Sequence, residues 1–120
     1  MTQKGKVWGQ LLSLDLRGCD VALLKSKKAI ELFCVKLCKE IGMKRVGKPI
    51  IKRFGEGRLE GYSAVQFIVT SSITIHADEY GSRAFIDIFS CKPFNAKKAT
   101  SFCKAFFKAK RLSSRNFYRF

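Results

Sequence analysis

The chain has 120 residues, 47% of them apolar and eleven of them phenylalanine, which suits one packed core and argues against several domains. Twenty-four Lys and Arg against nine Asp and Glu leave a net charge of +15, which favours polyanionic partners or acidic surfaces over cationic ones. Five cysteines with one histidine and no CxxC pair argue against a structural zinc site, and no apolar run is long enough to span a bilayer. No secretory signal opens the sequence, so a cytosolic location with reduced thiols is expected.

Residues 6–16 alternate, with Leu12, Leu14 and Leu16 against Ser13 and Asp15, and predict a strand. Arg17-Gly18-Cys19-Asp20 predicts a turn. A helix follows over 26–42, with Ser26 as N-cap and Gly42 just past its end. Its apolar stripe is Ala29, Ile30, Phe33, Cys34, Leu37, Cys38 and Ile41. A β-rich block spans Val46 to Cys91, interrupted by the Gly-rich segment 55–61. A second helix over 95–110 carries Ala99, Phe102, Cys103, Phe106 and Phe107 on one side. Cys34, Cys38 and Cys103 thus read as small buried hydrophobes. The segment 111–120 mixes arginine with aromatics and reads as a last strand or a loose basic end. This order predicts an α+β fold, an antiparallel sheet with both helices packed on one face, over a single domain 1–120.

Chemistry concentrates in the β-rich block. Thr70-Ser71-Ser72-Ile73-Thr74-Ile75-His76-Ala77 holds the one histidine, and Cys91 closes Phe85-Ile86-Asp87-Ile88-Phe89-Ser90-Cys91. Glu79-Tyr80-Gly81-Ser82 is a turn sequence. A hairpin centred on Gly81 sets Ser71 opposite Cys91 and His76 opposite Ile86, so a serine and a thiol meet on neighbouring strands. Ser63 lies about 26 Å from Ser71 if the strand runs straight. His76 points to the other sheet face from Ser71. These side chains can converge only through a chain reversal near residue 70 or a second subunit.

Several separated motifs resemble the small bacterial and archaeal S-adenosylmethionine decarboxylases. The family's opening Gly-x-His-Leu strand is similar to Gly9-Gln10-Leu11-Leu12, and its Cys-Asp turn to Cys19-Asp20. Its Glu-Ser-His, Ile-His and Asp-hydrophobic-Phe-Thr-Cys motifs resemble Thr70-Ser71-Ser72, Ile75-His76 and Asp87-Ile88-Phe89-Ser90-Cys91. Gly61-Tyr62-Ser63 looks like its Gly-Val-Ser, and Lys52-Arg53-Phe54 like its His-x-Phe. Thr70 stands where the family has glutamate, Ser72 where it has histidine, and the loop between Phe54 and Gly61 is longer. The Trp-Pro that follows the family's histidine is absent, so Glu79 matches the ribose-binding glutamate after a one-residue shift.

The resemblance implies self-cleavage between Thr70 and Ser71, with Ser71 becoming a pyruvoyl cofactor that forms a Schiff base with the substrate amine. It implies Ser63 and His76 as processing residues, the first as partner of the cleavage intermediate and the second as proton acceptor. Cys91 is implied as the proton donor to substrate carbon, Phe54 as the adenine-stacking residue, and a homodimer as the unit that builds the site. The expected function is decarboxylation of S-adenosylmethionine, supplying aminopropyl groups for spermidine synthesis. Two alternatives stay open. A changed pocket could take arginine or ornithine, or the chain could be an unprocessed, non-catalytic binding or regulatory homologue, with nucleic acid as the partner its charge favours.

Overall fold

The computed structural model describes residues 7–120. Residue 6, the expected start of the first strand, lies outside them. The elements in chain order are β1 (Gly9–Arg17), α1 (Val21–Leu24), α2 (Lys27–Glu40), β2 (Arg45–Phe54), β3 (Gly61–Ile68), β4 (Ser71–Asp78), β5 (Arg83–Ser90), α3 (Ala96–Phe106) and β6 (Arg111–Arg119). The six strands form one sheet in the order β2-β3-β4-β5-β1-β6, antiparallel at every pairing. The predicted α+β class holds, because α2 and α3 both lie on one face.

Strand alternation creates that face. Leu12, Leu14 and Leu16 of β1 point to the same side as Ile73, Ile75 and Ala77 of β4 and Ala84, Ile86 and Ile88 of β5, and all are buried. The helices answer with Ile30, Phe33, Cys34, Leu37 and Cys38 from α2 and Ala99 and Cys103 from α3. Phe33 is the hub, its ring centroid 6.1, 5.3 and 4.8 Å from those of Phe102, Phe106 and Phe107. Burying such a ring contributes about 2–3 kcal/mol. Cys34, Cys38 and Cys103 sit in this layer as small apolar groups, as their spacing predicts.

Ser26 caps α2 as expected, its Oγ accepting from the Ala29 N–H at 3.0 Å. Two features differ from the sequence reading. A short helix, α1, precedes α2 because the Asp20 carboxylate accepts the Ala22 N–H at 3.0 Å. Helix α3 stops at Phe106 instead of continuing to 110. Lys108 takes a left-handed conformation, φ 54°, and Lys110 already donates to the Arg17 carbonyl at 2.9 Å. That early stop delivers Arg111 beside Arg17, so the arginine-aromatic tail is the edge strand β6. Gln10, buried, fastens this corner by donating to Asn116 Oδ1 and accepting the Phe94 N–H.

The β4–β5 hairpin also departs from expectation by one residue. Asp78 pairs with Arg83, leaving a four-residue turn, and His76 faces Phe85 instead of Ile86. Asp78 sets this length, since its carboxylate accepts from the Gly81 N–H at 3.1 Å and from Arg83 Nε at 2.6 Å. Ser82, at φ 55°, takes the left-handed position expected of Gly81.

The second face of the sheet has no helix over it among the described residues. Val46, Ile50, Phe67 and Phe117 are each about half exposed there, with Trp8 stacked on Phe89 at 6.0 Å. No helix among the described residues is long and apolar enough to cross a membrane.

Candidate active site

The chain reverses between β3 and β4. Ser63 is thereby paired with His76, and Ile68 with Ser71. Both Ser63 and His76 fall on the open face, where Ser63 Oγ and His76 Nδ1 are 2.9 Å apart. Reversal was one of the two routes by which these residues could meet, and it joins them to each other. It does not join them to Ser71, which starts the strand that His76 nearly ends. Five residues of extended chain leave about 17 Å between the two.

Ser71 has its own partners at the far end of β4. Its Oγ accepts the Cys91 N–H at 2.9 Å, and the Thr70 hydroxyl contacts the Cys91 sulfur. The observed register sets Ser71 level with Ser90, so the expected direct pairing of Ser71 with Cys91 is one residue out. Alternation assigns Ser71 to the helical side with Ile73, and Cys91 lies one residue past the end of β5. The thiol thus meets the Thr70 hydroxyl, and the Cys91 backbone N–H holds the Ser71 hydroxyl next to it. Hydrogen bonding, first from the Thr70 hydroxyl, holds the Cys91 thiol below its ordinary value. Burial instead pushes Cys19 and Cys38 up to about 11 and Cys34 up to about 12. Cys91 is the one cysteine placed for ionisation.

Around the Ser63–His76 end the surface opens into a cavity of about 560 Å³, within the size range of small-molecule sites. Phe54, Tyr62, Tyr80 and Phe85 supply its aromatic walls, and the 57–59 turn of the longer loop forms one rim. Gly55, at φ +94°, permits that turn to close, since a Cβ there would lie 2.2 Å from the Leu59 carbonyl oxygen. Phe54 is well exposed at the cavity.

Glu79 stands beside the cavity, gripped by Arg53 through two hydrogen bonds, one of them Arg53 Nη2 to Glu79 Oε1 at 3.0 Å. That guanidinium holds the Glu79 carboxyl below the usual carboxylate range. Arg53 also binds Glu60 at 3.1 Å. Sequence reasoning passed over Arg53, along with Asp78–Arg83 and the Thr70–Cys91 contact. Arg53 occupies the variable position of Lys52-Arg53-Phe54, and only the β2-β3-β4 adjacency brings it to Glu79. Lys52, by contrast, faces Ser63 across β3 on the open face.

Comparison with known proteins agrees with this geometry. The family model for S-adenosylmethionine decarboxylase matches residues 10–120. The S-adenosylmethionine decarboxylase proenzymes of Clostridium botulinum strains Langeland and Hall are each 30% identical over 100 residues, covering 82% of this chain and 83% of theirs. The fold matches the crystal structure of the adenosylmethionine decarboxylase from Aquifex aeolicus VF5 with a TM-score of 0.81 at 19% identity, over 94% of this chain and 91% of that one. The chain belongs to the S-adenosylmethionine decarboxylase family, a family of carboxy-lyases.

Proposed function

We propose that the chain is a proenzyme that cleaves itself between Thr70 and Ser71 and then decarboxylates S-adenosylmethionine, providing aminopropyl groups for spermidine synthesis. The observation that carries the reading is that the implicated residues fall into two hydrogen-bonded pairs, Ser63–His76 and Ser71–Cys91, at opposite ends of β4.

The Ser71 end suits formation of a pyruvoyl group. The Cys91 N–H fixes the Ser71 hydroxyl beside the Thr70 carbonyl it must attack, and the thiol lies one residue away. Once formed, the group supplies an electron sink for loss of carbon dioxide. Cleavage also detaches Thr70 from Ser71. The Thr70 hydroxyl is then free to leave the Cys91 sulfur, which becomes available to hand a proton to the substrate carbon. In the Ser63–His76 pair, the serine hydroxyl can support the cleavage intermediate while the imidazole accepts the proton lost in elimination.

A homodimer completes the site in this reading. One β4 cannot bring His76 to Ser71, and the open sheet face exposes Phe67, Ile50 and Phe117 with no element over them among the described residues. A two-fold axis that sets β4 antiparallel to its partner's copy brings the His76 end of one strand level with the Ser71 end of the other, with the Ser71 side chain reached at the strand end because it lies on the helical side. The cavity then holds the adenosyl end, with adenine against Phe54 and the ribose within reach of Glu79. Its other carboxylates weigh against arginine or ornithine. Glu60 and Glu79 are both bound by Arg53, and Asp78 by Arg83, so no free carboxylate meets a cationic tail.

Mass spectrometry of the purified protein tests the proposal. Two fragments meeting at Thr70–Ser71 are expected, whereas Ser71→Ala should give one chain of 13.6 kDa. A wild-type chain that stays whole under conditions where it is folded would establish the non-catalytic alternative.

A further inference from the structure

The proposed reaction leaves the +15 charge unused, because a cationic substrate gains nothing from it. Its distribution is uneven. Residues 92–120 contain nine Lys and Arg and no Asp or Glu. Lys97, Lys98 and Lys104 of this excess lie on α3, in the helical layer on the side of the sheet away from the open face.

There α2 and α3 bound two adjoining hollows of about 620 and 360 Å³ that share Glu40, Lys98 and Phe102. Lys36 and Lys39 line them from α2, and Lys97 and Lys98 from α3. All four lysines are exposed, and none forms a salt bridge among the described residues. Glu40 is the groove's one acidic residue, while Asn95 and Ser101 add neutral polar groups. Lys104 extends the row about 10 Å along α3 from Lys97, at 1.5 Å per residue. Unpaired ammonium groups held this close repel one another unless an anion lies among them.

We propose that this groove binds the phosphate backbone of a nucleic acid, independently of base sequence. A small anion would meet one or two of these lysines, whereas a polyphosphate strand engages both helices together and releases a counterion at each contact. An anionic membrane fits less well. Phe102 lines both hollows but is half-buried against Phe33, so the groove offers no fully exposed apolar wedge to insert between lipids. The same half-buried ring is a poor platform for base stacking, which leaves electrostatics as the main binding force.

Fluorescence anisotropy of a labelled mixed-sequence RNA duplex of about 20 base pairs, titrated with the full chain at rising KCl, tests this. Replacing Lys36, Lys39, Lys97 and Lys98 by Gln should weaken binding at 100 mM salt by at least about 30-fold and flatten the log K against log salt slope by about 3 to 4. A matched variant with Lys25, Lys44, Lys48 and Arg111 changed to Gln removes the same charge away from the groove and should bind nearly as wild type. The pairs Lys36→Gln with Lys39→Gln, and Lys97→Gln with Lys98→Gln, give intermediate losses and stand in if the fourfold variant does not fold. Equal losses in the groove and matched variants would overturn the groove, leaving only diffuse charge. Binding to phosphatidylserine vesicles without binding to the duplex would overturn nucleic acid as the partner. The Ser71→Ala chain should bind the duplex as tightly as wild type, so this result does not depend on processing.

Discussion

Mixing two inactive variants separates a site built within one chain from a site shared by two. In the proposed mechanism Ser71→Ala lacks the attacking hydroxyl and His76→Ala the base, so neither variant alone should be cleaved. Ser71 and His76 of one chain are five residues apart on a single extended strand, about 17 Å, and no side chain bridges that distance. If the working site takes Ser71 from one subunit and His76 from the other, each mixed dimer contains one intact site and one doubly defective site. Random pairing after balanced co-expression makes about half the dimers mixed, so about a quarter of all chains should be cleaved. Intact mass spectrometry reads this directly, since only chains carrying His76→Ala should yield fragments, and those retain Ser71. Decarboxylation should recover to about the same quarter of wild type. Zero cleavage in the co-expressed sample, with mixed dimers demonstrated by tag pull-down, would refute the shared site. Normal cleavage by His76→Ala alone would remove His76 from processing altogether.

The thiol environments predict selective alkylation in the uncleaved Ser71→Ala chain. Cys91 should react with iodoacetamide with a midpoint below the usual value of about 8.5, and Thr70→Val should move that midpoint up, while the buried cysteines stay silent in the folded state. Arg53→Ala should lower the urea unfolding midpoint near neutral pH, since it removes a partly exposed ion pair. Because Arg53 lowers the Glu79 carboxyl in the folded state, the pair's stabilisation is complete above the ordinary carboxylate value. It fades as pH falls through the lowered one, so the two unfolding curves should converge in acid. Phe33→Ala should cost about 3–5 kcal/mol by the same assay, since three aromatic neighbours lose their contact and the helical layer cannot close the gap.

The helical layer was legible because its signals are local. Ser26 before a seven-residue apolar stripe states where α2 begins and which way it faces, and Asn95 does the same for α3. The stop of α3 was not legible, because Lys108 is no glycine and its left-handed turn is imposed by the pairing of β6 with β1. The same limit governed the site. Motif resemblance picked out Ser63, Ser71, His76 and Cys91, but their mutual placement depends on register, and a turn sequence read around Gly81 gave a register one residue out. What fixed the true turn was Asp78 reaching both Gly81 and Arg83, a contact that alternation does not announce. Arg53 and Thr70 were harder still: Arg53 fills a variable motif position and Thr70 departs from its motif, and each acquires its partner only when strands distant in sequence become neighbours.

Thr70 is where the departures from the family pattern acquire physical content. A carboxylate at this position would raise the Cys91 thiol by repelling the thiolate, whereas the Thr70 hydroxyl lowers it by hydrogen bonding. Replacing glutamate with threonine therefore changes the protonation of the thiol before cleavage without disturbing the Ser71 hydroxyl, which the Cys91 backbone holds. The same contact ties the thiol's chemistry to cleavage. While residues 70 and 71 are joined, the Thr70 hydroxyl occupies the sulfur that the proposed mechanism uses as an acid. Breaking that peptide bond removes the covalent tether that keeps threonine there. In the proposed mechanism, the cleavage that creates the electron sink would thus also free its proton donor.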